Sequence, residues 1–422
     1  MDKFNENQRK AIDSKDPSIV ILAPAGSGKT TTLVGAITEY KIQNPDARVA
    51  AITFTRKASD DLMGRLIGFD KIRVSTIHSW AYNELDKLSK IVREKFPDNT
   101  FKVKLLEEDK IKEILKEIIY RRGYKYLNMF QLYSYVMGNY NIEVPIGIKK
   151  AFEFVREDYI EYKQMYKLYD FTDLPQYLLD KLNDYDADIE GIDGLFVDEF
   201  QDVDDIQLEL FNRTLSTKKF YIGDPQQSIY QFRGATPDVL RKLSGFKTHN
   251  LDINYRSYQE IIDYARTVQD IAMNEPLNFT IQKESWPSEI VCIKGYGGEV
   301  YTLNNSGATY KVNEYIRLDT NERLKHLLEF EPMILCRTNK QVREIKKIGY
   351  NNVSTVHQAK GLEFDTVILT QFDIHPDEPE EVNVAYVGMT RAENRLMVAD
   401  FLQLTYALEV VLPTVNFKNN LF

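Results

Sequence analysis

Short runs of apolar residues alternate with amphipathic segments in the first part of the chain. The segments Lys29 to Tyr40 and Ala58 to Ile67 have the spacing of apolar residues that is typical of helices. The apolar runs around them are SIVILA (18–23), RVAAITF (48–54) and KIRVSTI (71–77). Because strands that alternate with helices are typical of a parallel, doubly wound sheet, this part of the chain is predicted to be an α/β region.

The same alternation returns after a long interruption. From about Glu84 to Lys167 the chain has no strand-like run, and this stretch is predicted to be helical with polar faces. Residues 295–312 are rich in Gly and Asn and predict a hairpin or a loop. The later apolar runs are GLFVDE (194–199), KKFYIGD (218–224), PMILC (332–336), DTVILT (365–370) and RLMVAD (395–400). The predicted fold class is therefore α/β, with a helical insertion between α/β regions.

Length and composition narrow the class of protein. The chain has 422 residues, of which 43% are hydrophobic, and a prior of roughly 150 residues per domain suggests two or three domains. It has no apolar run near the ~20 residues of a membrane span, a polar N-terminus, and two cysteines. We therefore expect a cytoplasmic, reduced protein with no membrane partner. The net charge of −9 neither requires nor excludes DNA, because a local groove can be positive.

A phosphate-binding loop is predicted at residues 23–30, whose sequence is APAGSGKT. The common pattern begins with Gly where this chain has Ala, but the GKT end and the strand–loop–helix setting are intact. Gly26 and Gly28 let backbone N–H groups turn toward phosphate oxygens at a helix N-terminus. Lys29 is expected to reach the β- and γ-phosphates, and the Thr30 hydroxyl is expected to bind Mg²⁺. A Gly-rich turn without a ligand is the weaker alternative.

An acidic partner for this loop is predicted where a later strand ends. The segment LFVDEFQD (195–202) places Asp198 and Glu199 directly after apolar residues. Asp198 is expected to hold Mg²⁺ through its water shell, and Glu199 to orient or deprotonate the attacking water. Two carboxylates at a solvated strand end are the alternative, which the phosphate-binding loop makes less favourable.

These two motifs and several others resemble the UvrD/Rep/PcrA helicases of superfamily 1, in the same order and across nearly the whole chain. The chain departs from the family pattern at Arg56, where Asn is usual, and at Phe232, where Trp is common. The other matching segments are FNENQ (4–8), TFTRKA (53–58), STIHS (75–79), GDPQQSIYQFRGA (223–235), LDINYRS (251–257), STVHQAKGLEF (354–364) and AYVGMTRAE (385–393).

The resemblance implies that ATP and Mg²⁺ bind between two RecA-like lobes. Arg256 and Arg391 match the family's two arginine fingers, which neutralise charge on the transferred phosphoryl group. Gln227 matches its γ-phosphate sensor, Tyr255 its adenine-stacking ring and Glu363 its ribose contact. The residues implied to be catalytic are Lys29, Glu199, Gln227, Arg256 and Arg391. Those implied to bind the nucleotide are Gln8, Ala25, Gly26, Ser27, Gly28, Lys29, Thr30, Thr31, Tyr255 and Glu363, and those implied to bind the metal are Thr30 and Asp198.

The resemblance also implies a track for single-stranded DNA and for junctions of single and double strands. Such tracks combine positive charge with aromatic faces, and each stacked base contributes roughly 1–3 kcal/mol. For Phe54 and Tyr230 a role in the core is the alternative. The cluster YRRGYKY (120–126) is either a further contact or a solvated helix end. The residues implied to contact the strand are Phe54, Thr55, His78, Tyr230, Phe232 and His357.

The domain organisation implied by the resemblance is compact. Residues 1–83 and 170–253 are expected to form the first lobe, 84–169 the helical insertion, and 254–422 the second lobe. Relatives carry a large mobile 2B subdomain between their RTN segment and the next motif, where this chain has only residues 340–354. We therefore expect a monomeric motor without the autoinhibition associated with that subdomain. Added processivity or loading is expected to come from a protein partner.

Three functions remain open from the sequence. The leading one is a helicase that hydrolyses ATP to move along single-stranded DNA, 3′ to 5′ by resemblance alone. The second is a translocase that displaces proteins without efficient unwinding. The third is a DNA-sensing ATPase subunit of a larger assembly, although a mere binder would not need Glu199, Arg256 and Arg391. A fused nuclease is not expected, because no nuclease-like segment follows residue 393.

Overall fold

The fold is described from a computed structural model. The described residues are 4–95, 101–138, 146–230, 235, 239, 243–273, 291–292, 294, 298–303, 309–311, 316–318, 320–370 and 379–414.

The chain begins with the elements that carry the phosphate-binding loop. Asn5 caps α1 in a capping box with Gln8, which orders the chain ahead of the first strand. These elements are α1 (Glu6–Ile12), β1 (Ser18–Leu22), α2 (Lys29–Gln43), β2 (Val49–Thr53), α3 (Arg56–Arg65), β3 (Ile72–Thr76) and α4 (Ile77–Lys95). All three predicted strands and both predicted helices in this part of the chain are confirmed.

A helical insertion follows, as predicted. Its helices are α5 (Glu108–Arg122), α6 (Met129–Val136) and α7 (Ile146–Tyr166), and they bury a core of their own around Leu115, Leu132 and Phe152. The expected boundary at residue 84 falls inside the continuous helix α4. Because α4 buries Trp80 and Val92 in the core of the first sheet, this helix belongs mainly to the first lobe. We use the term insertion for α5 to α7.

The chain then returns to complete the first sheet. The returning elements are α8 (Leu174–Asp184), β4 (Gly194–Val197), α9 (Asp205–Asn212), β5 (Lys218–Gly223) and β6 (Lys247–Asn250). Among the described residues the sheet has six strands in the order β3-β2-β4-β5-β1-β6, and every pairing is parallel. Apolar cores cover both faces, which explains why its inner strands read as continuous apolar runs. We call this sheet and its helices the first lobe.

A second α/β unit, the second lobe, follows. Its elements are β7 (Ile253–Asn254), α10 (Gln259–Met273), β8 (Val291–Cys292), β9 (Glu299–Leu303), β10 (Thr309–Lys311), β11 (Ile316–Leu318), α11 (Thr320–Leu328), β12 (Met333–Cys336), α12 (Asn339–Ile348), β13 (Val353–Thr355), α13 (Val356–Ala359), β14 (Phe364–Thr370), α14 (Pro379–Met389), β15 (Ala392–Ala399) and α15 (Phe401–Val411). The described strands form a seven-stranded sheet ordered β11-β10-β9-β15-β14-β12-β13 and a separate pair, β7 with β8.

The second sheet mixes parallel and antiparallel strands. β9, β15, β14, β12 and β13 are parallel, whereas β10 is antiparallel to both of its neighbours. Of residues 295–312, the described strands β9 and β10 pair antiparallel, as the hairpin alternative predicts. The α/β fold class is confirmed, and two sheets of mainly parallel strands with helices are consistent with two RecA-like lobes.

Two further features bear on the expected organisation. Between β12 and β13 the chain forms α12 and short connections, so this stretch contains no additional domain. Among the described residues no helix combines the length and apolar character needed to cross a membrane.

Helix α2 supplies a matched test of the first lobe's core. Ile37 is fully buried beneath the sheet, whereas Ile42 is 61% exposed at the end of the same helix. We expect Ile37→Ala to lower the free energy of unfolding by about 2–5 kcal/mol, because it leaves a cavity. Ile42→Ala is expected to change it by no more than about 0.5 kcal/mol. Urea unfolding followed by circular dichroism measures both, and equal effects would contradict the assigned core.

Candidate nucleotide and strand site

The phosphate-binding loop is a tight turn between β1 and α2. Gly26 and Gly28 have φ values of 72° and 81°, in the left-handed region that favours glycine. The Ser27 hydroxyl donates to the Pro24 carbonyl at 2.8 Å, which holds the turn closed. No side chain caps the N-terminus of α2, whose first residue is Lys29. The N–H groups of the first helical turn can therefore bind an anion.

Two carboxylates face this loop from the end of β4. Asp198 accepts a hydrogen bond from the Glu199 backbone N–H at 2.9 Å and another from the Thr30 side chain. Glu199 has a φ of 49°, an uncommon conformation for a residue with a side chain. The Gln201 amide donates to the Glu199 carboxylate at 2.6 Å and fixes its orientation. Thr30 and Asp198, which are both expected to hold the metal ion, thus lie in direct contact.

The two carboxylates differ in their electrostatic surroundings. Burial, and then the neighbouring Glu199, raise the pKa of Asp198 to about 7. Burial also acts on Glu199, but the positive charges of Lys29 and Lys360 outweigh it and lower the pKa of that carboxyl. Glu199 is therefore ionised at neutral pH and able to accept a proton or a hydrogen bond. Burial thus favours the neutral form of Asp198, and a cation bound beside it would favour the carboxylate.

The segment that begins the second lobe is hydrogen-bonded directly to the loop. The Asn254 amide donates to the Ala25 carbonyl at 2.7 Å, and the Tyr255 N–H donates to the Gly26 carbonyl at 2.8 Å. A Cβ atom on Gly26 would lie 2.7 Å from the Asn254 amide nitrogen and 2.8 Å from the Arg256 Cβ. Glycine is therefore required at this position both by the backbone conformation and by the closeness of the second lobe.

Both predicted arginine fingers point into the seam between the lobes. Arg256 forms an ion pair with Glu363 and donates to the Thr390 carbonyl at 3.2 Å. Arg391 is fully buried and donates to the Gln227 side-chain oxygen at 3.3 Å and to the Leu362 carbonyl at 3.1 Å. Burial, and then the charge of Arg256, lower the pKa of Arg391 to about 9. The guanidinium therefore remains charged at neutral pH.

Two cations of the seam are bonded to carbonyl-type oxygens rather than to carboxylates. Among the described residues, Lys29 donates to the Ala23 carbonyl at 3.2 Å and has no ion pair. The hydrogen bonds of Arg391 likewise end on backbone and amide oxygens. Their charges are thus not neutralised by carboxylates in direct contact. The site can accept additional negative charge.

One cleft of about 560 Å³ contains most of the predicted nucleotide site. Gln8 lies behind the loop, where its amide donates to the Ser27 carbonyl at 3.2 Å, and Ala25 is buried. Tyr255 is half-exposed at the cleft and accepts a hydrogen bond from the Asn5 amide at 2.8 Å. The predicted residues that line the cleft are Gly26, Gly28, Lys29, Thr30, Thr31, Phe54, Thr55, Asp198, Glu199, Gln227, Tyr230, Tyr255, Arg256, Glu363 and Arg391.

The predicted strand residues form two groups. Phe54 stacks on Tyr230 with 4.9 Å between ring centroids, and the His357 ring lies 6.1 Å from Tyr230. His78 is separate from them and stacks on Phe171 at 5.2 Å. The remaining predictions are that Thr55, which caps α3, and Phe232 contact the strand. Phe232 lies outside the described residues.

Burial affects how two of these side chains could act. Tyr230 and His357 are each 8% exposed, so both contribute to the packing of the seam. Burial, and then the charge of Arg337, lower the pKa of His357 to about 4. His357 is therefore a neutral ring at physiological pH and cannot serve as a cation for the DNA backbone.

The cluster at residues 120–126 is exposed, and its arginines have partners. Tyr120 and Tyr126 are mostly exposed, while Arg121 pairs with Glu117 and Arg122 with Asp158. The paired arginines favour the solvated-helix alternative for this cluster. We assign it no contact.

Lys360 is a site residue that the sequence analysis missed. Its ammonium group lies 2.6 Å from an Asp202 carboxylate oxygen and donates to the Gln227 carbonyl at 2.8 Å. The same ammonium lies 4.7 Å above the Tyr230 ring. Lys360 and Asp202 stand inside two recognised motifs, but nothing in the sequence shows that they meet. Lys360 joins the nucleotide cleft to the aromatic pair.

Comparison with known proteins agrees with this geometry. Residues 4–247 match the UvrD/REP helicase N-terminal domain, and residues 312–403 match the UvrD-like helicase C-terminal domain. The chain is 25% identical to a putative ATP-dependent DNA helicase of Acanthamoeba polyphaga mimivirus, over 95% of this chain and 54% of that protein. It is 30% identical to the ATP-dependent DNA helicase Rep of Buchnera aphidicola, over 63% of this chain and 45% of that protein.

A third relative matches along its whole length. The chain is 23% identical to the Gabija protein GajB of Bacillus cereus, over 97% of this chain and 99% of that protein. The chain thus spans about half the length of the mimivirus and Buchnera proteins and nearly all of the Gabija protein.

The glycine loop supplies a prediction about binding. We expect Gly26→Ala to weaken nucleotide binding by at least about tenfold, because the added Cβ is strained and displaces the loop from Asn254. Titration with a fluorescent ATP analogue measures the affinity. Gly147→Ala is the control, because a Cβ at Gly147 in α7 meets nothing within 4 Å. An unchanged affinity in Gly26→Ala would contradict the assigned loop.

Proposed function

The chain belongs to the UvrD/REP helicase family, and from that premise we propose that it hydrolyses ATP to move along single-stranded DNA and separate strands. The observation that carries the proposal is the composition of the seam. Lys29 and Arg391 approach one cleft from different lobes, and their hydrogen bonds end on carbonyl-type oxygens. A polyphosphate placed between them would be contacted by both lobes at once.

The residues of the cleft fit a nucleotide and a magnesium ion. Gly26 and Gly28 adopt the left-handed conformation that turns backbone N–H groups toward the N-terminus of α2, where phosphate oxygens can accept from them. For the metal, the Thr30 hydroxyl and the Asp198 carboxylate are adjacent. The described residues contain no group of three or more His, Cys, Asp or Glu side chains suited to a metal. Mg²⁺ usually keeps water and phosphate oxygens as most of its ligands, so the two protein oxygens of Thr30 and Asp198 are compatible with it.

Each charged side chain has a distinct task in this proposal. Bound Mg²⁺ would neutralise charge on the β- and γ-phosphates and keep Asp198 ionised. Glu199, already ionised, accepts a proton from the attacking water, while Gln201 holds its carboxylate in place. Lys29 and the two arginine fingers stabilise the negative charge that develops on the transferred group. An arginine finger is worth on the order of 10³–10⁵ in rate.

Movement along DNA requires the nucleotide site to act on the strand site. Lys360 connects them, because its ammonium contacts the Gln227 carbonyl and lies over the Tyr230 ring. A change at Gln227 when ATP is hydrolysed would therefore displace Tyr230 and its stacking partner Phe54. Bases stacked on such rings would be released or gripped in turn. The 3′ to 5′ direction is carried over from the family resemblance.

The compact second lobe supports a motor that acts as a monomer. The connection from β12 to β13 contains α12 and no further domain, so the chain has no 2B subdomain at this position. We propose that the monomer is not autoinhibited and that a protein partner supplies loading or added processivity.

A second candidate function is an ATPase that translocates or senses DNA within a larger assembly without efficient unwinding. The observation that favours it is the match to the Gabija protein GajB over nearly the full length of both chains. The two candidates share the cleft and differ in what ATP hydrolysis accomplishes.

The first test of the proposal is DNA-dependent hydrolysis. We expect single-stranded DNA to stimulate the ATPase rate strongly, and Lys29→Ala to abolish the activity, because the β- and γ-phosphates lose their cation. A coupled assay of ADP release measures the rates. The DNA concentration that gives half-maximal stimulation should rise steeply with salt. The control is Lys10→Ala, which removes a surface cation on α1. An ATPase rate that does not change when single-stranded DNA is added would disprove a motor that moves along DNA.

A second test separates unwinding from translocation. The isolated chain is expected to unwind a duplex with a 3′ single-stranded tail, because no autoinhibitory subdomain is present at the β12–β13 connection. The matched assay is displacement of streptavidin from a biotinylated single strand. Displacement without unwinding would favour the second candidate. A monomer that stays inactive on tailed duplexes until a partner is added would contradict the absence of autoinhibition.

A further inference from the structure

The insertion joins the first lobe through two chain segments that run side by side. Leu105 on the entering segment pairs with Tyr169 on the leaving segment in an isolated parallel bridge. The Leu106 N–H donates to the Tyr169 carbonyl at 2.7 Å. Because the insertion has its own core, its orientation relative to the first lobe depends strongly on this junction.

A buried ion cluster lies where α7 leaves the insertion. The Lys163 ammonium is 2.7 Å from an Asp170 carboxylate oxygen and 2.6 Å from one of Asp173. The Tyr159 hydroxyl donates to Asp170 at 2.9 Å, and the Thr172 backbone and hydroxyl donate to its other oxygen. Lys163 is 8% exposed and Asp170 is 1% exposed. The cluster therefore links the core of the insertion, through Tyr159, to the start of the first lobe's returning chain.

Such a cluster is poorly explained as a source of stability. Removing charges from water costs several kcal/mol per ion, and apolar replacements of buried ion pairs are often neutral or stabilising. The best-supported use of buried ionic groups is to select one geometry over its alternatives. The question is then which geometry this cluster selects.

The geometry that the cluster fixes is the turn carrying Phe171. Asp170 caps a one-turn 3-10 helix at residues 171–173, and Asp173, the last residue of that helix, accepts a hydrogen bond from the Asp170 N–H in return. Lys163 binds both carboxylates and so holds the two ends of this turn against α7. The Phe171 ring is stacked on His78 with 5.2 Å between centroids and 24° between planes. The position of His78 is thus tied to α7.

We propose that Lys163 is a positioning residue for the strand site: with Asp170 and Asp173 it locks the insertion to the first lobe and holds Phe171 against His78. The proposal rests on the proposed function, since it assumes that His78 faces a bound strand. Lys163 itself does not contact the strand, because its ammonium is buried and bound by two carboxylates.

The experiment replaces the cluster without leaving a buried charge. The triple variant Lys163→Met/Asp170→Asn/Asp173→Asn is neutral, and Asn at position 170 can still cap the turn. Asp173→Asn alone is the milder second variant, because it leaves the neutral pair of Lys163 with Asp170. The matched control is Lys150→Met, which removes an exposed charge from the same helix. Each variant is assayed for ATPase with and without single-stranded DNA.

The expected result is a weaker response to the strand with an intact motor. In the triple variant the half-saturating DNA concentration should rise about tenfold, the equivalent of one stacking contact, while the DNA-independent rate is unchanged. Asp173→Asn should raise the half-saturating DNA concentration by a smaller factor. Lys150→Met should raise it by less than about twofold, because a single exposed charge contributes little. In a His78→Ala background the triple variant should add little further loss, because both changes act on the same contact.

Other outcomes would overturn the proposal. If the half-saturating DNA concentration stays at the wild-type value in both cluster variants, Lys163 does not position the strand site. If the triple variant raises the half-saturating DNA concentration by the same factor in the His78→Ala background as in the wild type, the cluster does not act through His78. A salt dependence whose slope falls by about 0.7 means that Lys163 itself contacts a phosphate. Failure of the proposed function is distinct, because the wild type would then show no stimulation by DNA.

Discussion

The structure depends on a direct hydrogen-bonded contact between the phosphate-binding loop and the second lobe. Asn254 and Tyr255 donate to carbonyls of the loop itself, so the loop cannot shift without moving the segment that carries Arg256. This contact gives a second reason for glycine at position 26, besides the loop conformation. A Cβ atom there would lie too close to Asn254 and Arg256. Because of this contact, a change of charge in the cleft affects both lobes. Lys360 with Asp202 and Arg256 with Glu363 are neutralised in pairs, whereas Lys29 and Arg391 retain charge for a phosphate group.

The fold could be predicted where local pattern and burial coincide. Strands such as β1 and β4 are buried on both faces, so their sequences are nearly continuous apolar runs. Strands β6 and β11 escaped prediction because they are short and carry polar residues, KTHN in the first and IRL in the second. Their place in a sheet is determined by neighbouring strands, and this information is not local in the sequence.

The candidate site likewise divides into residues that local motifs predict and contacts that only the folded chain reveals. Lys29, Asp198 and Arg391 stand in motifs whose spacing carries a mechanism, and the structure brings all three to one cleft. The contact of Lys360 with Asp202 joins residues 158 positions apart, so only the folded chain shows it. The burial of His357 was also hidden from the sequence, and its contact with the strand stays a prediction. Its low pKa means that any contact with the strand would be made by a neutral ring.

For the aromatic pair of Phe54 and Tyr230, a core role and the proposed strand role are compatible. Tyr230 is buried by the second lobe's apolar core and still lines the cleft beside Phe54. A ring held by packing on one side and by Lys360 on the other has little freedom of its own, so it moves when its surroundings move. That is the property a motor needs, because a freely rotating ring could not transmit displacement from Gln227 to a base. On this view the burial of Tyr230 is compatible with the strand contact proposed for it.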